Sequence, residues 1–145
     1  MNTADTGRLT ASSDGTTIVT DVNITGSGIV NLEAAVDAPA VLSPVSVSFG
    51  STPSGSGVTR SVTVTVLNGG TVAATWPVAI TDLAASGVTF KTSVASVTLD
   101  PGTSTTITVT ATFSKAAAKG NKQASLVIGD PATPVAHAVV YAFVK

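Results

Sequence analysis

Few side chains in this sequence are equipped for chemistry, and they lie far apart. His137 is the only histidine, and cysteine is absent. A serine-type hydrolase needs its histidine beside a nucleophile and an orienting acid. Nothing around "VAHAVVYAFV" marks either partner, so His137 is expected on the surface or edge of a strand. One histidine without cysteine leaves no transition-metal set. Calcium needs several converging oxygens, whereas Asp82, Asp100 and Asp130 stand singly at strand ends or turns. There a carboxylate ordinarily caps backbone amides. "GSG" (Gly26 to Gly28) lacks the strand-then-helix spacing of a dinucleotide loop and reads as a tight turn. Asn23-Ile24-Thr25 fits the glycosylation sequon, a pattern short enough to recur by chance. Trp76 in "ATWPVAI" is read first as core, as a lone tryptophan in a sandwich usually is, with a ligand platform as the alternative. The expectation is therefore no catalytic residue, no cofactor and no metal.

Composition narrows the partners. Of 145 residues, 10% are charged and the formal net charge is -1. An ordinary soluble domain carries roughly 25% charged residues. Polarity comes instead from Ser, Thr, Asn and Gly, which gives no basic footprint for nucleic acid and no charged block for a membrane surface. No apolar run approaches the roughly 20 residues of a membrane-spanning helix. The N-terminus has neither the basic start nor the apolar core of a signal peptide. The balance of Thr, Val and Ser over Lys and Glu resembles that of extracellular β-domains, so a secreted or cell-surface location is expected.

From Leu42 onward the hydrophobic period is 2. Val45, Val47 and Phe49 alternate with serines, Val62, Val64 and Val66 with threonines, and Ile107, Val109, Ala111 and Phe113 with threonines. That is the signature of strands with one buried and one wet face. Further strands are expected at Ala74–Ile80, Val88–Phe90, Val94–Leu99, Gln123–Ile128 and Val135–Val144. "STPSGSG", "NGG", "DPG" and "DPATP" supply turns between them, with NGG offering residues tolerant of positive φ. "SKAAAKG" (Ser114 to Gly120) is expected to bridge two sheets. Seven to eight short strands define an all-β, antiparallel Ig/fibronectin-III-like sandwich over residues 39–145.

Residues 1–38 form an extension of different character. "TTIVTDVNIT" (Thr16 to Thr25) puts Ile18, Val22 and Ile24 on one face of an expected strand. "NLEAAVDA" reads as a short helix with Asn31 as its cap, Glu33 in its first turn and Pro39 as its stop. Residues 1–37 hold five acids and one arginine, a net of −4, and the remainder six bases and three acids, a net of +3. Opposite charges favour association of the two parts, within one chain or between copies, subject to screening by salt.

"MNTAD" followed by "GSGIVNLEAAVDAP" resembles the end of the catalytic domain in subtilisin-like serine proteases. There, a helix ending in an "ALMNTA"-like stretch follows the nucleophile serine, and a "GAGxVNxxxAV" segment closes the domain. Met1–Asp5 and Gly26–Val36 match those pieces in order. "LSPVSVSFG", "RSVTVTVLNGG" and "VTLDPGTSTTITVTATF" are similar to the fibronectin-III/Ig-like domain that many secreted subtilases carry next. The serine motif and the segments bearing the catalytic Asp and His are not in this chain, so the resemblance assigns no catalytic residue here. It implies a non-catalytic accessory module whose partner is its own protease domain. The physical alternative is a self-assembling extracellular subunit or filament in which Ile18, Val22 and Ile24 belong to a donated strand. A carbohydrate- or protein-binding adhesin using Trp76 rests on fold analogy alone.

Overall fold

The structure is a computed structural model describing the backbone of residues 1–145 and every side chain except that of Asp82. Its nine strands among the described residues are β1 Ala40–Ser43, β2 Ser46–Thr52, β3 Thr59–Asn68, β4 Ala74–Ala84, β5 Val88–Thr92, β6 Ser96–Leu99, β7 Ser104–Phe113, β8 Gly120–Asp130 and β9 Thr133–Val144. They form a four-stranded sheet, β1-β3-β7-β5, and a five-stranded sheet, β2-β9-β8-β4-β6. All pairs are antiparallel except β2 with β9. The sandwich is the expected one, with one strand more than the turn count suggests. The extra strand arises because the chain crosses between sheets at Ser43-Pro44, dividing the leading apolar run into β1 and β2.

Alternation decides which side chains meet between the sheets. Ile107, Val109, Ala111 and Phe113 of β7 are all buried, as are Val64 and Val66 of β3. Leu126 and Ile128 of β8 and Val140 and Val144 of β9 face them from the other sheet. Apart from Ala111, each such side chain contributes about 1.5–3 kcal/mol of burial. The outer face of the four-stranded sheet is wet and hydroxyl-rich, with Thr59 opposite Thr112 and Ser61 opposite Thr110 at hydrogen-bond distance (3.3 and 3.2 Å).

Two turns differ in how they work. In DPG, the Thr103 N–H donates to the Asp100 carbonyl (3.1 Å), and Gly102 takes the positive φ, 71°, that the turn demands. NGG does not work through positive φ, because neither Gly69 nor Gly70 adopts it. Instead Asn68, fully buried at the end of β3, donates from Nδ2 to the Val72 and Leu99 carbonyls (both 2.9 Å) and accepts from the Gly70 N–H. A side-chain amide in the interior replaces a backbone turn there. Ser114 to Gly120 runs from β7 to β8, and so from one sheet to the other, as expected.

The N-terminal segment is mostly irregular. It contains two single-turn helices, α1 Val22–Thr25 and α2 Leu32–Val36, and isolated bridges pairing Asp5 with Ile29 and Thr10 with Ile18. The strand expected over residues 16–25 is not formed. The Asp21 carboxylate caps α1 by accepting from the Asn23 N–H (2.9 Å), which turns the chain into helix just where the period-2 spacing pointed to extension. Helix α2 lies where it was expected, with Asn31 as its cap, accepting from the Ala34 N–H (2.9 Å). Among the described residues no helix is long and apolar enough to cross a membrane.

Candidate functional site

Residues 1–38 lie against the outer face of the five-stranded sheet, and polar side chains fasten them there. The first fastener is Asn2. On β9, β2 pairs only from Val139 onward, so the backbone of His137 is open on that side. Asn2 fills the gap: the His137 N–H donates to the Asn2 carbonyl (2.8 Å), and Asn2 Nδ2 donates to the His137 carbonyl (3.1 Å). Asn2 Oδ1 also accepts from the Leu42 N–H on β1 (3.0 Å), so one buried amide joins the edges of both sheets. The second fastener is Gln123 on β8. It donates from Nε2 to the Asp21 carboxylate (2.7 Å) and accepts from the Val22 N–H (3.1 Å). The third is His137 itself, whose Nε2 lies 3.0 Å from the Ser27 carbonyl. A carbonyl only accepts, so Nε2 carries the proton. His137 is thus not a strand-surface or edge residue; the N-terminal segment covers it to 6% exposure.

Local backbone chemistry keeps this cover in place. Gly28 sits at φ 110°, and a Cβ there would overlap the Asp5 carbonyl oxygen, so the bridge between Asp5 and Ile29 requires glycine. Gly26 ends α1 with its N–H donating to the Val22 carbonyl. GSG is the tight turn expected from the sequence. The Asp21 carboxyl is held below its ordinary pKa first by the Asn23 backbone N–H and then by the Gln123 amide. Asp14, in the loop between Thr10 and Ile18, is lowered to about 2, chiefly by the Thr17 hydroxyl and then by the Thr17 and Thr16 N–H groups. Among the described residues the opposite net charges of the two parts do not meet in an ion pair. Among the described residues the one salt bridge, Arg8 to Asp5 at 3.8 Å, lies within the N-terminal segment.

The apolar side chains of this segment behave differently from its polar ones. No member of the hydrophobic core precedes Ala40. Of the fourteen exposed large hydrophobics among the described residues, eight lie in residues 1–38, which is a far higher density than in the sandwich. Val30, Leu32 and Val36 are 72%, 74% and 85% exposed. Leu32 and Val36 are one turn apart and share a face of α2.

Of the residues singled out for self-association, Ile18 and Ile24 are exposed and Val22 is half-buried against the sheet, so the three do not form one face. Trp76 on β4 is buried in the core, with its ring away from solvent. Asp130 caps its turn by accepting from the Ala132 N–H (2.8 Å), and Asp100 serves the DPG turn through its backbone carbonyl. The Asp82 side chain lies outside the described residues. Asn23 is exposed on α1. The fasteners Asn2, Ser27 and Gln123 were not anticipated. The one sequence signal for a covered outer face is the nearly unbroken apolar run of β9, which alternation alone does not explain.

Two packed sheets in this strand order, with antiparallel pairing throughout except for β2 and β9, define an immunoglobulin-like β-sandwich. Among solved structures the chain is similar to the ASH/PapD-like domain 7 of human CEP192, at a TM-score of 0.52 and 15% identity over 75% of this chain and 87% of that one. It is also similar to a FixG-related protein from Vibrio parahaemolyticus (0.51; 11% identity; 74% of this chain, 97% of that one). A third likeness is to the YadV chaperone (0.51; 16% identity; 74% and 52%). At these identities the likeness is one of fold alone. No protein-family profile matches the sequence, and no curated protein matches it either.

Proposed function

We propose that the chain is a non-catalytic β-sandwich module of a secreted subtilisin-like serine protease, with residues 1–38 forming the seat for the protease domain. One observation carries the reading: polar side chains bind the N-terminal segment to the sandwich, while Val30, Leu32 and Val36 point away from it. A segment packed for its own stability turns its apolar residues inward. The resemblance of Met1–Asp5 and Gly26–Val36 to the close of a subtilase catalytic domain supplies the identity of what would cover them. The module would stabilise or position the enzyme outside the cell.

The test is a fusion of a subtilisin-like catalytic domain, ending at its serine helix, to Met1 of this chain. Its casein hydrolysis should survive heating longer than that of the same fusion carrying Leu32→Glu and Val36→Glu. Equal lifetimes would remove the reading, as would inhibitor-sensitive proteolysis by the chain alone.

A second reading, a self-associating structural subunit, is favoured by the same apolar face together with the charge division of −4 and +3. A head-to-tail contact that does not close would propagate as a filament. Sedimentation over a range of protein concentration separates the two readings. Oligomers dispersed by salt and by Leu32→Glu support the second, and a monomer at every concentration eliminates it.

A further inference from the structure

Between the N-terminal segment and the sheet beneath it lies a cavity of about 300 Å³. Leu9, Val19 and Ile29 line it from above, and Leu83, Val127 and Val139 from the sheet. Its volume is about twice the roughly 150 Å³ that suffices to take up benzene. Its walls are mainly apolar, and a single buried imidazole, that of His137, reaches it. With Nε2 protonated and donating to Ser27, the other ring nitrogen of a neutral histidine is an acceptor. His137 Nδ1 has no hydrogen-bond partner among the described residues, yet it is not among the sealed, unpartnered atoms of the interior. An acceptor that is neither paired nor sealed, on a side chain that lines both this cavity and the polar opening beside Asn31 and Asp37, is open to a ligand's donor. Arg8, the cation at the rim, is already paired with Asp5, so nothing there selects for an anion.

We infer that this cavity is a binding site for a small neutral molecule with an apolar body and one hydroxyl or N–H donor, a phenol or medium-chain alcohol in chemical class. The ligand's body fills the space between Val127, Val139 and Leu9, and its donor bonds to His137 Nδ1. The site is independent of the outward apolar face, because none of Val30, Leu32 and Val36 lines it.

The probes are 4-butylphenol and its methyl ether, titrated into the full chain and followed by amide NMR. They share a body and differ in the donor. The phenol should bind saturably, with shifts centred on Val127, His137 and Val139, and the ether about tenfold more weakly, as one net hydrogen bond requires. His137→Phe should abolish that preference. Leu9→Trp, at the exposed side of the cavity, should block both probes without unfolding the sandwich. Equal affinity of phenol and ether in the wild-type chain would overturn the donor assignment. Shifts centred on Val30, Leu32 and Val36, or no saturable shifts, would overturn the site.

Discussion

Residues 1–38 and residues 39–145 use the same kinds of side chain in opposite ways. In the sandwich, Leu42, Ile107, Phe113 and Leu126 are buried and the hydroxyls of β3 and β7 face water. In the N-terminal segment, Asn2, Ser27 and the Asp21–Gln123 contact hold the structure inward, while Val30, Leu32 and Val36 face outward. The sandwich is stabilised by apolar burial that would persist wherever the domain was placed. The segment is held by directional contacts at a few points. Such contacts fix a position without using up apolar surface, which stays available to a partner.

That contrast can be broken at its strongest point first. Phe113→Ala should cost about 3–5 kcal/mol, since it empties a fully buried site between the sheets; urea unfolding measures it. Asn2→Ala comes next. It leaves the Leu42 N–H and the His137 carbonyl buried without partners, at about 1–3 kcal/mol for each group so stranded. A loss below about 0.5 kcal/mol, the range of ordinary surface changes, would mean the Asn2 side chain does not fasten the N-terminal segment to the sandwich.

Acid should separate the two regions more gently. The folded Asp21 carboxyl favours its charged form more than the unfolded one does, so its contribution is complete above the ordinary carboxylate value, about 3.9. It fades as the pH falls through the lowered folded value. Amide exchange at Val22 should therefore accelerate below about pH 4, while exchange at Val109 stays slow. Asp21→Asn should weaken this acid dependence; an unchanged profile would deny the Asp21–Gln123 contact its role. Smallest of all, Leu32→Glu with Val36→Glu should leave the melting temperature almost where it was, because both side chains are already solvated. A large destabilisation would show that α2 is packed, and the contrast between the regions would fail.

The sandwich was legible because its information is local. Ile107 to Phe113 announces its buried face through spacing alone, and Asp100-Pro101-Gly102 announces its turn. The N-terminal segment was legible only in part. Asn31 acts on Ala34, three residues on, and a cap of that range can be read from sequence. Ile18, Val22 and Ile24 misled because even spacing matches a strand, while the Asp21 cap that decides the matter leaves no periodic trace. His137 looked like a wet-face residue because its cover comes from 110 residues away. NGG looked like a glycine turn because the interior partners of Asn68 cannot be seen from its neighbours.

Asn2 sets an order of events. Its partners stand 40 and 135 residues further along the chain. During synthesis it leaves the ribosome ahead of both partners, and it must wait for β9, the last of the nine strands, before its contacts exist. Contacts at such separation close late, after the local pairings that reduce the entropy of the loop. The N-terminal segment is therefore expected to reach its final place after the sheets have formed, with its apolar residues uncovered until then.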